Sequence, residues 1–153
     1  MDDSMKLEQL NMDEALAKHG TIQIEPKGYS MYPLFVPGRD MVVISAIGEH
    51  KCKRGDVLLF RREDGLLVLH RLCRVKKDGL YMVGDNQEAI EGPILREQVL
   101  GILVQMVRKG KRISTHNFLY NCYARLWLFL RPVRPFIKKP VAKIKKIIKK
   151  RAK

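Results

Sequence analysis

The chain has 153 residues, which is enough for one globular domain with a hydrophobic core and an appended segment. Its formal net charge is +14, yet every acidic residue lies between Asp2 and Glu97, and residues 108–153 carry 16 Lys and Arg residues and no acid. Such a basic segment is typical of contacts with anionic lipid or nucleic acid. Cys52, Cys73 and Cys122 are scattered and form no Cys-x-x-Cys motif, which argues against a disulfide framework or a zinc site and favours free thiols.

The N-terminal residues are expected to form a short helix, and they do not resemble a targeting segment. The start Met1-Asp2-Asp3 is acidic and no apolar region follows, so no signal peptide is expected. No stretch approaches the ~20 apolar residues of a membrane-spanning helix. Residues 4–19 contain good helix formers between a capping Ser4 and Gly20, so residues 1–20 are predicted to form an N-terminal helical segment.

Residues 21–110 are predicted to form a mainly β domain. Thr21–Glu25 alternates apolar and polar residues, and several later segments are short and apolar. Asp-Gly pairs at 64–65 and 78–79 precede two of these segments and are typical of hairpin turns. The predicted strands cover residues 21–25, 41–44, 56–60, 66–75, 80–83 and 99–107.

Residues 111–153 are predicted to form a basic, amphipathic helical tail. Residues 117–130 place five apolar side chains on one helix face, and residues 141–150 alternate aliphatic residues with lysines after three prolines. This combination is typical of helices that lie in a membrane interface. The residues expected to contact an anionic membrane are Trp127, Lys145, Lys146, Lys149 and Lys150.

Four short motifs in the β domain carry polar residues that suit acyl transfer. A serine, a histidine and an aspartate can act as nucleophile, general base and the carboxylate that orients the base. In chain order the motifs are Gly28-Tyr29-Ser30-Met31-Tyr32-Pro33, Gly55-Asp56-Val57-Leu58-Leu59-Phe60, Leu69-His70-Arg71-Leu72 and Gly84-Asp85-Asn86. Together they resemble the signal peptidase I family over residues 22–107. The resemblance implies a coiled β-sheet domain and a serine peptidase.

The resemblance is to the histidine-base type of the endoplasmic reticulum and archaea, because His70 stands where bacterial members carry a lysine. A histidine has an ordinary pKa near 6.5 and needs less perturbation than a lysine, at about 10.4, to act as a base. The resemblance implies Ser30 as nucleophile, His70 as general base and Asp85 as the orienting carboxylate. It makes Glu91 a weaker candidate for a second acid. It also implies that the substrate and oxyanion environment includes Gly28, Met31 and Pro33, and it implies no metal and no organic cofactor.

The chain departs from the family pattern in three ways. Gly28 replaces a serine or threonine whose hydroxyl serves the oxyanion hole, so the Ser30 backbone N–H is the remaining donor. The usual Gly-Asp motif reads Gly38-Arg39-Asp40, with one residue inserted. An N-terminal membrane anchor is not visible in the sequence.

The sequence therefore supports a serine endopeptidase that hydrolyses a signal, leader or pro-peptide with a Ser30-His70 dyad or a triad with Asp85. The basic tail and free cysteines predict a peripheral membrane protein at the cytoplasmic face. One alternative is self-cleavage, as in the related SOS-repressor peptidases, although these use a lysine base. Another alternative is a degenerate peptidase module whose tail binds membrane or nucleic acid.

Overall fold

The computed structural model describes residues 12–133 and contains one antiparallel sheet flanked by helices. Helix α1 covers residues 12–19, helix α2 covers Phe118–Phe129, and short 3-10 turns occupy Arg96–Gln98 and Arg131–Val133. The mainly β class predicted from the sequence is confirmed. The strands are β1 (Thr21–Ile24), β2 (Asp40–Ala46), β3 (Val57–Arg61), β4 (Leu67–Lys76), β5 (Gly79–Val83), β6 (Glu91–Ile94), β7 (Val99–Arg108) and β8 (Lys111–Ser114).

The sheet order is β1-β2-β7-β3-β4-β5-β6, with β8 paired to β7, and every pairing is antiparallel. Strand β7 lies between β2 and β3, which are successive in the chain but are not neighbours in the sheet. It therefore joins an N-terminal β1–β2 hairpin to a β3–β6 meander. The polar motifs lie on both of these parts.

Strand β3 is buried on both faces, which shows that apolar clusters cover both sides of the sheet. Val57 and Leu59 pack in a cluster with α1, the turn after β1 and α2, whereas Leu58 and Phe60 pack in a second cluster with β4, β5 and β6. Strand side chains alternate between the two faces, and both faces are buried here, so the sequence of β3 is a continuous apolar run. This buried central strand pairs with β4, which carries His70.

Strands β6 and β8 were not predicted from the sequence. β6 contains Gly92 and Pro93, which disfavour strands, and it lies at the end of the sheet path, where a proline is tolerated. β8 begins with two basic residues and pairs with β7 through a turn at Lys109 and Gly110. The sheet therefore extends to Ser114.

Helix α2 packs against the sheet domain. Asn117 caps its start, since the Asn117 Oδ1 accepts a hydrogen bond from the Leu119 N–H at 2.9 Å. The buried residues of α2 are Tyr120, Ala124 and Leu128. Neither helix in the described part of the chain has the length and hydropathy needed to cross a bilayer. The predicted segment 141–150 and the first part of the predicted N-terminal helix lie outside the described residues.

Candidate active site

The turn that follows β1 carries Ser30 and packs directly against the Gly84-Asp85-Asn86 loop. The Asn86 N–H donates a hydrogen bond to the Ser30 carbonyl oxygen at 2.7 Å. A Cβ added at Gly84 would lie only 2.6 Å from the same oxygen, so only glycine permits this approach. The first and last of the four sequence motifs are therefore in contact, although 54 residues separate Ser30 from Gly84.

Arg71 connects the other motifs. Its guanidinium donates to both carboxylate oxygens of Asp85 at 2.8 Å, and its Nη1 donates to the carbonyl oxygen of Gly55 at 2.8 Å. The side chains of Arg71 and Asp85 are almost fully buried. Burial tends to lower the pKa of Arg71, but the hydrogen bonds and charge of Asp85 outweigh this effect and raise the pKa. All four motifs thus meet around one buried ion pair.

Ser30 and His70 line the same cleft, which has a volume of about 640 Å³. One wall is formed by residues 23–28 at the end of β1, and the other by residues 66–70 at the start of β4. Arg62, just after β3, also lines it. Its size lies within the range of clefts that bind small molecules or short peptide segments.

His70 is a buried histidine whose environment favours the neutral ring. It faces Leu58 across the β3–β4 ladder, and its ring centroid lies 6.2 Å from that of Phe60. Burial lowers the pKa of His70, while the charge of Glu91 opposes this effect and that of Arg62 adds to it. A neutral imidazole is the form that accepts a proton.

The charges of Glu91 and Asp85 both tend to raise the pKa of His70, and Glu91 has the larger effect. Glu91 Oε2 lies 3.5 Å from His70 Nδ1, and this buried nitrogen has no hydrogen-bond partner among the described residues. Arg62 holds Glu91 through two contacts, from Nε to Oε1 and from Nη2 to Oε2, the latter at 2.7 Å. The hydrogen bond to Glu91 raises the pKa of Arg62. Glu91 is therefore fixed beside the imidazole by a cation.

Asp85, predicted as the carboxylate that orients His70, has different partners. Both of its oxygens accept hydrogen bonds from Arg71, and the Tyr123 hydroxyl donates to Oδ2 at 3.2 Å. Successive strand residues point to opposite faces, so Arg71 and His70 leave β4 in opposite directions. The contacts of Asp85 favour a structural role, and those of Glu91 favour the orienting role.

The residues predicted for the substrate environment are divided. Gly28 lines the cleft and has a φ of +81°, in the left-handed region that favours glycine. Met31 is buried in the core, where its sulfur accepts a hydrogen bond from the Asp85 N–H at 3.4 Å. Pro33 is half-buried, and neither Met31 nor Pro33 is among the described residues that line the cleft. Met31 and Pro33 are therefore part of the turn that carries Ser30, but they do not line the cleft.

The inserted Arg39 contributes to a second ion-pair cluster at the far end of the Ser30 turn. The buried Asp40 carboxylate accepts hydrogen bonds from Arg39, from Arg108 and from the Val36 N–H. Burial tends to raise the pKa of Asp40, but these donors outweigh it and hold the pKa well below its usual range. Arg108 also donates to the carbonyl oxygen of Leu34 at 2.6 Å, so the cluster ties the turn to β7.

Trp127, predicted to contact a membrane, packs against the domain. Its indole N–H donates to the Asp85 carbonyl oxygen at 3.0 Å, and its ring stacks on Tyr123 at a centroid distance of 5.6 Å. Lys145, Lys146, Lys149 and Lys150 lie outside the described residues. Within residues 12–133, no group of three or more His, Cys, Asp and Glu side chains could hold a metal ion.

The sequence reasoning did not single out Arg62 as a site residue or Arg71 as the partner of Asp85. For Arg71 a signal was present, because strand alternation next to His70 predicts that Arg71 faces the opposite side. For Arg62 there was none, since its contact with Glu91 joins residues 29 positions apart across an unpredicted strand.

Comparison of the chain with protein-family models and with curated proteins finds no match to either.

Proposed function

We propose that this protein is a serine endopeptidase that resembles signal peptidase I and hydrolyses a peptide bond in a signal, leader or pro-peptide. The observation that carries the proposal is that Ser30 and His70 line the same cleft, with Glu91 Oε2 3.5 Å from His70 Nδ1. A nucleophile, a base and an acid that orients the base form the recurring arrangement of serine hydrolases.

In this mechanism Ser30 Oγ attacks the scissile carbonyl carbon while His70 Nε2 accepts the hydroxyl proton. Glu91 faces Nδ1, so it favours the tautomer with a proton on Nδ1 and stabilises the imidazolium that forms. His70 then donates its proton to the leaving amine, and an acyl-enzyme remains on Ser30. A water molecule, deprotonated by His70, hydrolyses this ester and regenerates the serine.

The oxyanion of the tetrahedral intermediate would be stabilised by the backbone N–H of Ser30. The turn that presents this N–H is fixed by the Asn86 hydrogen bond to the Ser30 carbonyl and by the close approach of Gly84. Preorganised backbone donors need no rearrangement during the reaction, and each contributes about 3 kcal/mol to transition-state stabilisation. Gly28 offers no hydroxyl at the second donor position.

The cleft favours an extended peptide as substrate. Within residues 12–133, strand β1 pairs with β2 along one edge and with no strand along the other, so this second edge can accept a substrate backbone as an added strand. The lining includes Ile24, Phe35, Leu59, Leu67 and Leu69, so we expect apolar or small side chains beside the scissile bond.

Cleavage of a mixed peptide library tests the proposal. Wild-type protein should produce defined cleavage sites, and Ser30→Ala or His70→Ala should abolish them. Ser114→Ala and His116→Ala are matched controls outside the cleft and should retain wild-type rates. Cleavage that survives in Ser30→Ala, or its absence from the wild-type protein with every peptide and with anionic vesicles present, would contradict the proposal and favour the degenerate module.

A further inference from the structure

Helix α2 presents a second apolar face to solvent, opposite the face that packs on the domain. Phe118, Leu119, Leu126 and Phe129 are 77%, 74%, 57% and 75% exposed. With the exposed Cys122 they fall within an arc of roughly 100° at the angular spacing of an α-helix. A surface helix of a globular domain ordinarily shows polar residues on this side, so the stripe indicates an interaction surface.

The charge of the sequence in and after α2 favours one kind of partner for this outer face. The last acidic residue of the chain is Glu97, so no acid occurs in α2 or after it, and residues 134–153 contain ten Lys and Arg residues. A second copy of the chain would bring two strongly cationic segments together, which is electrostatically unfavourable. A nucleic acid would satisfy the charge but not the aliphatic and aromatic stripe. An anionic bilayer satisfies both.

We propose that the outer face of α2 docks onto an anionic lipid bilayer. Phe118, Leu119, Leu126 and Phe129 enter the boundary between headgroups and acyl chains, and the adjoining basic segment binds the anionic headgroups. The stripe replaces Trp127 as the anchor, because the Trp127 indole is bonded to Asp85.

Docking places the candidate active site close to the lipid. The inner face of α2 holds the Gly84-Asp85-Asn86 loop through Tyr123 and Trp127, and the loop in turn holds Ser30. One helix therefore separates the lipid surface from Asp85, a distance of about 10 Å. A precursor anchored in the same membrane would have its cleavage site within reach.

Vesicle binding by the full chain tests this proposal without requiring peptidase activity. The probes are phosphatidylcholine vesicles with and without phosphatidylglycerol. The double variant Leu126→Ser/Phe129→Ser removes apolar area from the stripe and should weaken binding to the anionic vesicles about ten-fold or more. The matched control Val75→Ser/Leu95→Ser changes two side chains that are 55% and 54% exposed, one on β4 and one just after β6, and should bind like the wild type.

Cys122 offers a local readout, since it is exposed within the stripe, whereas Cys52 is half-buried on the sheet domain. An environment-sensitive fluorophore on Cys122 in a Cys52→Ser variant should shift to shorter wavelength when anionic vesicles are added. The same fluorophore on Cys52 in a Cys122→Ser variant should not shift.

Three results would overturn the docking proposal. In the first, the α2 double variant binds anionic vesicles as tightly as the wild type. In the second, the Cys122 probe does not respond. In the third, the wild type self-associates through α2 in sedimentation experiments and the double variant is monomeric, which would make a second copy the occupant. A peptidase that is inactive but binds vesicles through α2 would refute only the proposed function.

Discussion

Asp85 and Glu91 are the two candidates for the carboxylate that orients His70 in the proposed mechanism. Removing the charge of each should have opposite effects on stability and on activity. Asp85→Asn leaves the fully buried Arg71 guanidinium without its counter-charge. Breaking a buried ion pair in this way costs about 3–5 kcal/mol in the free energy of unfolding. For a chain of this size, the melting temperature should fall by about 10 °C.

Glu91→Gln should instead lower activity and leave the melting temperature nearly unchanged. The Glu91 and Arg62 side chains are 25% and 34% exposed, and a pair of this exposure contributes about 1 kcal/mol or less to stability. A neutral glutamine cannot stabilise the imidazolium that His70 would form in the transition state of the proposed mechanism. The kcat for peptide hydrolysis should therefore fall about 10²- to 10⁴-fold with little change in melting temperature.

Thermal unfolding and steady-state kinetics, both at neutral pH and with assays well below either melting temperature, measure the two effects side by side. The reasoning would be refuted if Asp85→Asn kept the wild-type melting temperature and lost activity while Glu91→Gln remained fully active. That result would return the orienting role to Asp85 and leave the 3.5 Å contact of Glu91 without function.

Three further predictions concern the base, the nucleophile turn and the second ion-pair cluster. Because burial lowers the pKa of His70, the kcat/KM of the wild type should reach half its maximum below pH 6.5. Arg62→Gln removes a cation and should move this half-maximal point to higher pH, whereas Glu91→Gln removes an anion and should move it to lower pH. Shifts in the opposite directions in pH–rate profiles would contradict the assignment of His70 as the base. Gly84→Ala places a Cβ 2.6 Å from the Ser30 carbonyl oxygen and should lower kcat about 100-fold, so an unchanged kcat would show that the turn tolerates the displacement. Asp40 has a lowered pKa, so its ionised form stabilises the fold above about pH 4 and this stabilisation is lost as pH falls. Asp40→Asn should lower the free energy of unfolding, measured in urea, by about 3 kcal/mol at pH 7 and by less at pH 3. An equal loss at both pH values would exclude a link between Asp40 ionisation and stability.

The strands with clear apolar patterns were predictable from sequence within a few residues, because alternation and Asp-Gly turns report local backbone preference. β4 and β7 are examples. β6 was not predictable, since Gly92 and Pro93 disfavour a strand and only pairing with β5 holds it. Its first residue is Glu91, so missing the strand also obscured the strength of that residue as the partner of His70.

The positions of Asp85 and Trp127 depend on tertiary contacts that no local pattern reports. Asp85 lies in a turn motif that is compatible with a structural role or with orienting His70. Its pairing with Arg71, which lies 14 residues earlier and on the opposite face of β4 from His70, favours the structural role. Trp127 belongs to an amphipathic pattern, but α2 is apolar on two sides. Its sequence alone does not specify which side meets the domain.

The central place of β7 has a consequence for the biosynthesis of the protein. Ser30 lies in the turn between β1 and β2, whereas His70 and Glu91 belong to the β3–β6 half of the sheet. Among the described residues, the sheet joins these two halves through Val99–Arg108. On the ribosome, the two halves can pair only after that strand has left the exit tunnel, when synthesis has already entered the basic segment. The nascent chain therefore lacks an assembled candidate site through most of its synthesis. That site forms at about the time when the basic segment, which we propose to bind anionic headgroups, is being made.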